Sequence, residues 1–290
     1  MSKDATGRLV GMAFAWLKGH GTENDFVLLP DHDGTIHGDL DDSFVAAVCH
    51  RRRGIGADGI MRVIRSAALG RQSDGEWFMD YRNADGSVSE MCGNGIRVFA
   101  LHLVQEGLAD ASGPIVIGTR DGDKTITIPR AQGAALGDAI SVDMGTPEVR
   151  GVSKVGADGR TWEAQDVRTG NPHAIAFVER LSDAGTLLTQ PDFDHTVYPD
   201  GVNIEFVVRE AAEHVSMRVH ERGSGETRSC GTGACAVAVA AAVADGAIRP
   251  TTYRVDVPGG TVHVTWRADD HLILTGPAEI VARGDMEWIA

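Results

Sequence analysis

An α+β fold of two pseudo-symmetric domains, each a barrel-like β-sheet wrapped around a central helix, is what this sequence predicts. Three observations carry that expectation. The first is a repeat: Cys230 lies 138 residues beyond Cys92, and the same shift carries Met79 to Met217, Gly93 to Gly231, Gly95 to Gly233 and Gly122 to Gly260. The second is order, since in each half strands lead to a Cys-Gly-x-Gly turn, then a helix, then a hairpin. The third is the second helix, ACAVAVAAAVADG, which is Ala and Val on every side. A helix apolar all round is buried all round, and strands wrapped about it bury it better than an open sheet. The period is far longer than a solenoid's, so the repeat makes a two-domain pseudo-dimer. The expected units are 12–141 plus 276–290, holding the first cysteine, and 142–275, holding the second, with the active site in the cleft between them.

Composition sets bounds. The chain has 290 residues, 42% hydrophobic and 23% charged, as a soluble enzyme with a full core has. A net charge of −14 argues against nucleic acid or an anionic membrane as a partner. Four cysteines (Cys49, Cys92, Cys230, Cys235) do not make a disulfide scaffold. MSKDATGRLVG lacks the apolar core of a signal peptide, and the longest apolar run, Ala234 to Ala244, is too short to span a bilayer. The expectation is a cytoplasmic protein with reduced thiols.

Taken in order, residues 1–11 read as a polar, disordered extension. MAFAWLKGH reads as a strand and GHGTENDFVLLP as a Gly-rich turn into a second. Leu40, Phe44, Val45 and Val48 fall at helical spacing, and GIGADGIMRVI turns into another strand. Residues 66–75 read as an Ala/Gly/Ser-rich loop, and EWFMDYRNADGS as a strand closed by a turn. CGNGIRVFALHLVQEGL opens the first helix, with Ile96, Phe99, Ala100, Leu103 and Val104 on its apolar face, and GPIVIGTRDGDKTITIPR reads as a hairpin. The second half repeats this through TWEAQDVRTGNPHAIAFV, TVYPDGVNIEFV, HVSMRVHERGSGETRSCGTG, the Ala-rich helix and YRVDVPGGTVHVTWR.

Cys230 would stand at a helix N-terminus, where free N–H groups and the helix dipole lower a thiol's pKa and hold a carboxylate beside it. Alone, such a cysteine is more often an inert packing thiol. Two at equivalent points of two facing copies imply a shared cleft. A carbon acid between two thiols can lose its proton to one as thiolate and regain a proton on the opposite face from the other. An ordinary thiol, with pKa about 8.5, is only about 3% ionised at pH 7, so the base must be acidified. A close pair keeps its second proton by repulsion and titrates as a unit. No pyridoxal phosphate lysine motif, metal-ligand cluster or dinucleotide fingerprint is evident, so the expectation is no cofactor and no metal. Cys49 and Cys235 read as packing thiols.

GHGTENDF, GIGADG, YRNADGS, MCGNGIR, GNPH, PDGVNIEF, ERGSGETRSCGTGACA and VPGG follow one another in an order that resembles the diaminopimelate epimerase family. The resemblance runs from Phe14 to about residue 284. It implies two similar domains and the cofactor-independent conversion of LL- to meso-2,6-diaminopimelate for lysine and peptidoglycan synthesis, with a homodimer as the family's assembly. It implies that Cys92 and Cys230 are the acid/base pair, and that Asn24, Asn83, Asn171 and Asn203 bind substrate. Arg222 would hold the distal carboxylate. The amides at Gly93, Asn94, Gly231 and Thr232 would take the reacting one, with His173 and Glu221 tuning the cysteines and the substrate ammonium. By chemistry alone Asn83 and Asn203 are also turn residues and Glu221 a solvated charge. Thr22 and Glu23 depart from the smaller Leu-Gly pair common in the family. Two alternatives stand beside this reading. One is a proline or hydroxyproline racemase of the same two-thiol logic, against which Asn94 and the ERGSGETRSCGTG form argue. The other is a thiol redox sensor cycling a Cys92–Cys230 disulfide.

Overall fold

The structure, a computed structural model, describes residues 12–129 and 135–288; the extension expected at 1–11 lies outside them. In the first half β1 (Met12–Gly21) and β2 (Asn24–Pro30) form a hairpin. Helix α1 (Asp42–Cys49) leads to β3 (Gly59–Arg65) and β4 (Trp77–Asn83), then α2 (Gly93–Gln105), β5 (Ile115–Gly118), β6 (Lys124–Thr127) and β7 (Ile140–Asp143). The second half runs β8 (Glu148–Ala157), β9 (Arg160–Arg168), β10 (Pro172–Phe177), β11 (Asp192–Phe193), β12 (Asn203–Ala211), β13 (His214–Glu221) and β14 (Gly225–Thr227). It closes with α3 (Gly231–Asp245), β15 (Thr251–Val257), β16 (Gly260–Trp266), β17 (Leu272–Gly276) and β18 (Glu279–Trp288). Residues 66–75, expected as plain loop, begin with a 3₁₀ turn at Ser66–Leu69, ended by Gly70 at φ 61°.

The duplication is legible in the strand pairings. β1–β2, β3–β4, β5–β6 and β6–β7 are antiparallel while β2–β3 and β4–β5 are parallel. The series β9, β10, β12, β13, β15, β16, β17 repeats that alternation pair by pair. Each half also exchanges its last strand. β8 leaves the first half to pair with β9, and β18 returns from the end of the chain to pair with β1. The antiparallel pair β7–β17 joins the two series into one sheet.

Each sheet series curls about its helix. Helix α2 packs against β1, β2, β3, β7 and β18, strands from both ends of its series, and α3 against β9, β10, β12, β13, β15, β16 and β17. Apart from Thr232, α3 is buried from Gly231 to Ala242, and only its last turn emerges, with Val243 45% exposed. That is why its residues are small. Ala and Val let strands approach on every side, and a helix of this composition has no polar face to solvate. Both helices contribute to one apolar cluster that includes Ile96, Phe99, Leu103, Val237, Val239 and Leu274.

Helix α3 ends on Gly246, which sits at φ 62° with open space where a side chain would be. Gly246→Ala should therefore destabilise the fold through backbone strain alone, by about 1–2 kcal/mol. A urea midpoint that does not move would contradict that account of the helix end.

Candidate active site

Each thiol sits where a turn enters a helix. Cys92 and Cys230 are the N-cap residues of α2 and α3, with extended backbones at φ −139°, ψ 119° and φ −124°, ψ 114°. The sulfur takes the place that a Ser or Asp oxygen usually holds, accepting the N–H of the third helical residue. Gly95 donates to Cys92 and Gly233 to Cys230, both at 3.4 Å.

The two helix N-termini abut. A methyl group built on Gly231 would lie 3.1 Å from the Gly93 Cα and 3.4 Å from the Asn94 nitrogen. Any side chain at Gly231 would press on the facing helix entrance, so glycine suits this contact, which brings two sets of unpaired N–H groups to one place. Such a place favours a carboxylate or other anion.

Around Cys92 the polar groups are oriented without ambiguity. Asn24 Nδ2 donates to the Asp58 carboxylate at 2.8 Å, so the Asn24 carbonyl must face inward. There it lies 3.6 Å from Cys92 Sγ and accepts from Asn94 Nδ2 at 3.2 Å. Asn94 reaches across the halves to the Ser229 carbonyl and hydroxyl, both at 3.1 Å. Asp58 is held in turn by Arg51, 2.6 Å away, which also forks onto Asp25. Burial alone would raise the Asp25 carboxyl, but Arg51 and Lys18 outweigh it and hold it down at about 2.

Around Cys230 the surroundings are acidic. Thr232 Oγ1 lies 3.5 Å from the sulfur. A methyl on Gly233 would fall 2.6 Å from Glu205 Oε1, so this carboxylate lies directly under the helix entrance. Glu205 bonds His173 Nδ1 at 2.6 Å, and His173 Nε2 faces Asn171 Oδ1 at 2.8 Å; the Glu205 and His173 side chains are fully buried. Asn203, two residues before Glu205 on the same strand face, donates to the Pro172 carbonyl at 3.2 Å and accepts from the Arg222 backbone N–H at 2.9 Å. Arg222 is exposed, its stem over Gly201 and its guanidinium on the Asp200 carbonyl at 3.1 Å. Glu221 accepts from the Thr227 hydroxyl.

The expected residues thus fall into linked groups. Asn24, Cys92, Gly93 and Asn94 form one; Cys230, Gly231, Thr232, His173 and Asn171 form the second, with Asn203 buried beside it and Arg222 exposed at its rim. Glu221 acts on both thiols. Asn83 pairs in register with Gly59, next to Asp58, and its Nδ2 donates to Ser87 Oγ at 3.0 Å in the turn after β4. Thr22 and Glu23 take left-handed backbones, φ 51° and 62°, a conformation that glycine adopts without strain and these two residues do not. Here the strain is offset by bonds across the halves, Thr22 to Ser229 at 2.6 Å and Glu23 to Arg228 at 2.6 Å. Sequence reading overlooked Asp58, Glu205 and Ser229. Glu205 carried a signal, the alternation that puts it beside Asn203; Asp58 and Ser229 carried none, because their roles arise from contacts distant in sequence.

One electrostatic expectation is corrected. A helix N-terminus was expected to lower a thiol's pKa, yet both thiols are raised. Burial pushes Cys92 up to about 11, Glu221 adds to the rise, and the Gly95 and Asn94 N–H groups only partly oppose it. Burial, then Glu221 and Glu205, push Cys230 well above the ordinary value against the Thr232 hydroxyl and Gly233 N–H. Glu221 is itself raised, chiefly by burial. Desolvating a thiolate costs more than a few amides return.

A family model described as diaminopimelate epimerase matches residues 16–149 and 166–281 of this chain. The chain belongs to the diaminopimelate epimerase family. Among its relatives, a diaminopimelate epimerase of Streptomyces coelicolor is 52% identical over 95% of this chain and 96% of its own length. One of Corynebacterium glutamicum is 45% identical over 96% and 100%. Similar solved structures show the same fold at low identity. A phenazine biosynthesis protein of the PhzF family from Bacillus anthracis has a TM-score of 0.68 at 16% identity, covering 95% of this chain and 99% of its own. A hydroxyproline epimerase from Agrobacterium vitis has 0.68 at 15%, covering 96% and 93%.

Glu221 raises both thiols by its negative charge. Glu221→Gln should move thiol ionisation of both Cys92 and Cys230 to lower pH, read as the pH profile of iodoacetamide labelling in the substrate-free protein. A profile unmoved or shifted to higher pH would contradict that source of the rise.

Proposed function

We propose that this chain inverts one α-carbon of LL-2,6-diaminopimelate to give the meso isomer, with Cys92 and Cys230 as the two acid/base groups and no cofactor. The observation that carries the reading is that both thiols cap helix N-termini which abut at Gly93 and Gly231. One thiolate removes the α-proton, and the other thiol donates its proton to the opposite face. Bonds and charge balance: one C–H breaks and one forms, and the negative charge passes from one sulfur to the other. The carboxylate beside the reacting carbon gains enediolate character, and the amides at Gly93, Asn94, Gly231 and Thr232 are placed to hold it.

In this reading the high thiol pKa values belong to the site without substrate. A substrate ammonium beside Glu221 and Glu205 would cancel the charge that raises the thiols, so ionisation is favoured once the right molecule is bound. Asn203 and, at the rim, Arg222 suit the distal carboxylate, for which a guanidinium is chemically apt; Asn171 and Asn24 are placed to hold polar groups nearer the thiols. Asn83 can add its carbonyl oxygen while keeping its bond to Ser87. The units 12–141 with 276–290 and 142–275 are the two domains of the proposal, supported by the exchange of β8 and β18. A homodimer and a cytoplasmic location complete it. No described helix is long and apolar enough to cross a membrane.

Cys92→Ser and Cys230→Ser, assayed separately on LL- and meso-diaminopimelate, should each lose epimerisation by at least about 10³-fold, since loss of either acid or base stalls inversion. Either variant retaining full activity would remove that cysteine from the mechanism. A redox sensor would instead respond to peroxide and dithiothreitol with no turnover of diaminopimelate at all.

A further inference from the structure

Arg97 is the largest fully buried side chain in the described structure, and it has no carboxylate partner there. Its guanidinium bonds three neutral oxygens: the Pro277 carbonyl at 3.3 Å, the Gly93 carbonyl at 3.3 Å and the Thr22 hydroxyl at 3.4 Å. Backbone closes around it, since a methyl on Gly21 would lie 2.9 Å from Nη2 and one on Gly276 3.2 Å from Cζ. A buried charge without an opposite charge is costly, and such groups are otherwise paired. The nearest anion-binding feature is the helix entrance itself. Arg97 donates to the carbonyl of the Gly93–Asn94 peptide, whose N–H belongs to the junction of the two helix N-termini.

We propose that Arg97 is a positioning residue of this site: its buried guanidinium is the fixed counter-charge for anions at the paired helix N-termini, acting on Cys92 directly and through the Gly93–Asn94 peptide. This deepens the two-thiol reading and rests on it for the identity of the anion. The titratable groups facing Cys92 are Glu221 on β13, Tyr81 on β4 and Arg97 on its own helix; Arg97 faces Cys92 and Cys235. Burial pushes the guanidinium down to about 10, still cationic at neutral pH, and the two sulfurs pull the other way. A purely structural role, tying α2 to the β1–β2 turn and the segment before β18, uses the same bonds and must be separated from it.

Thr22 allows the separation. It touches Arg97 Nη2 and already stands at φ 51°, a backbone that Asp and Asn adopt more readily than Thr. Thr22→Asp places a carboxylate against the guanidinium and cancels its charge while leaving Arg97 in position; Thr22→Asn has the same shape and no charge. The measurement is the rate of Cys92 alkylation by iodoacetamide from pH 7 to 11 in substrate-free protein, read by peptide mass spectrometry. Thr22→Asp and Arg97→Gln should slow Cys92 labelling at pH 8 about tenfold, the effect of one unit in thiol pKa. Thr22→Asn and Arg97→Lys should stay within about threefold of the parent. Coincident profiles for Thr22→Asp and Thr22→Asn overturn the proposal, as does a folded Arg97→Gln with an unmoved profile. If Arg97→Gln fails to fold, the Thr22 pair decides. Labelling that shifts as expected in a protein that does not epimerise diaminopimelate contradicts the proposed function and leaves this inference standing.

Discussion

The contact on which the rest of the structure depends is the meeting of two helix N-termini at Gly93 and Gly231. Helix ends carry unpaired N–H groups and partial positive charge, so two of them face to face repel unless something negative sits between. The architecture holds them there regardless. Each helix is gripped by strands on several sides, and the exchanged strands β8 and β18 lock each half to the other. Cross-half bonds from Asn94 and Thr22 to Ser229 close the remaining gap. The fold is a clamp that keeps an anion site assembled before any anion arrives.

That site is built from opposing electrostatic pressures. Helix amides favour negative charge at both sulfurs and Arg97 favours it at Cys92; burial and Glu221 oppose it at both, and Glu205 at Cys230. Burial wins in the structure described, and both thiols hold their protons. In the proposed reaction the balance is useful rather than wasteful: a ligand that carries an ammonium would neutralise the carboxylates, and its own carboxylate would use the amides. A molecule lacking either group would leave the thiols protonated, so in this proposal charge recognition and activation are one event.

Much of this was legible in the amino-acid sequence because the repeat was. A single cysteine at the mouth of an Ala-rich segment is ambiguous, but two at a constant shift define two helices, their caps and a cleft between them. The apolar circumference of α3 told of burial on all sides, as found down to Val243. Less was legible where long-range contacts decide. Thiol pKa was misjudged for the same reason. Helix caps are local and can be read from Cys-Gly-x-Gly, while desolvation and the approach of Glu205 and Glu221 belong to the folded whole.

The central claim is that two sulfurs address opposite faces of one carbon. It is tested most directly by epimerising LL-diaminopimelate in deuterium oxide, stopping at low conversion and locating the label by mass spectrometry. The account predicts one deuterium at the inverted α-carbon of the meso product and protium retained in the recovered LL substrate, with the mirror result in the reverse direction. Label entering recovered substrate as fast as product forms, as a single base exchanging with solvent would give, contradicts it.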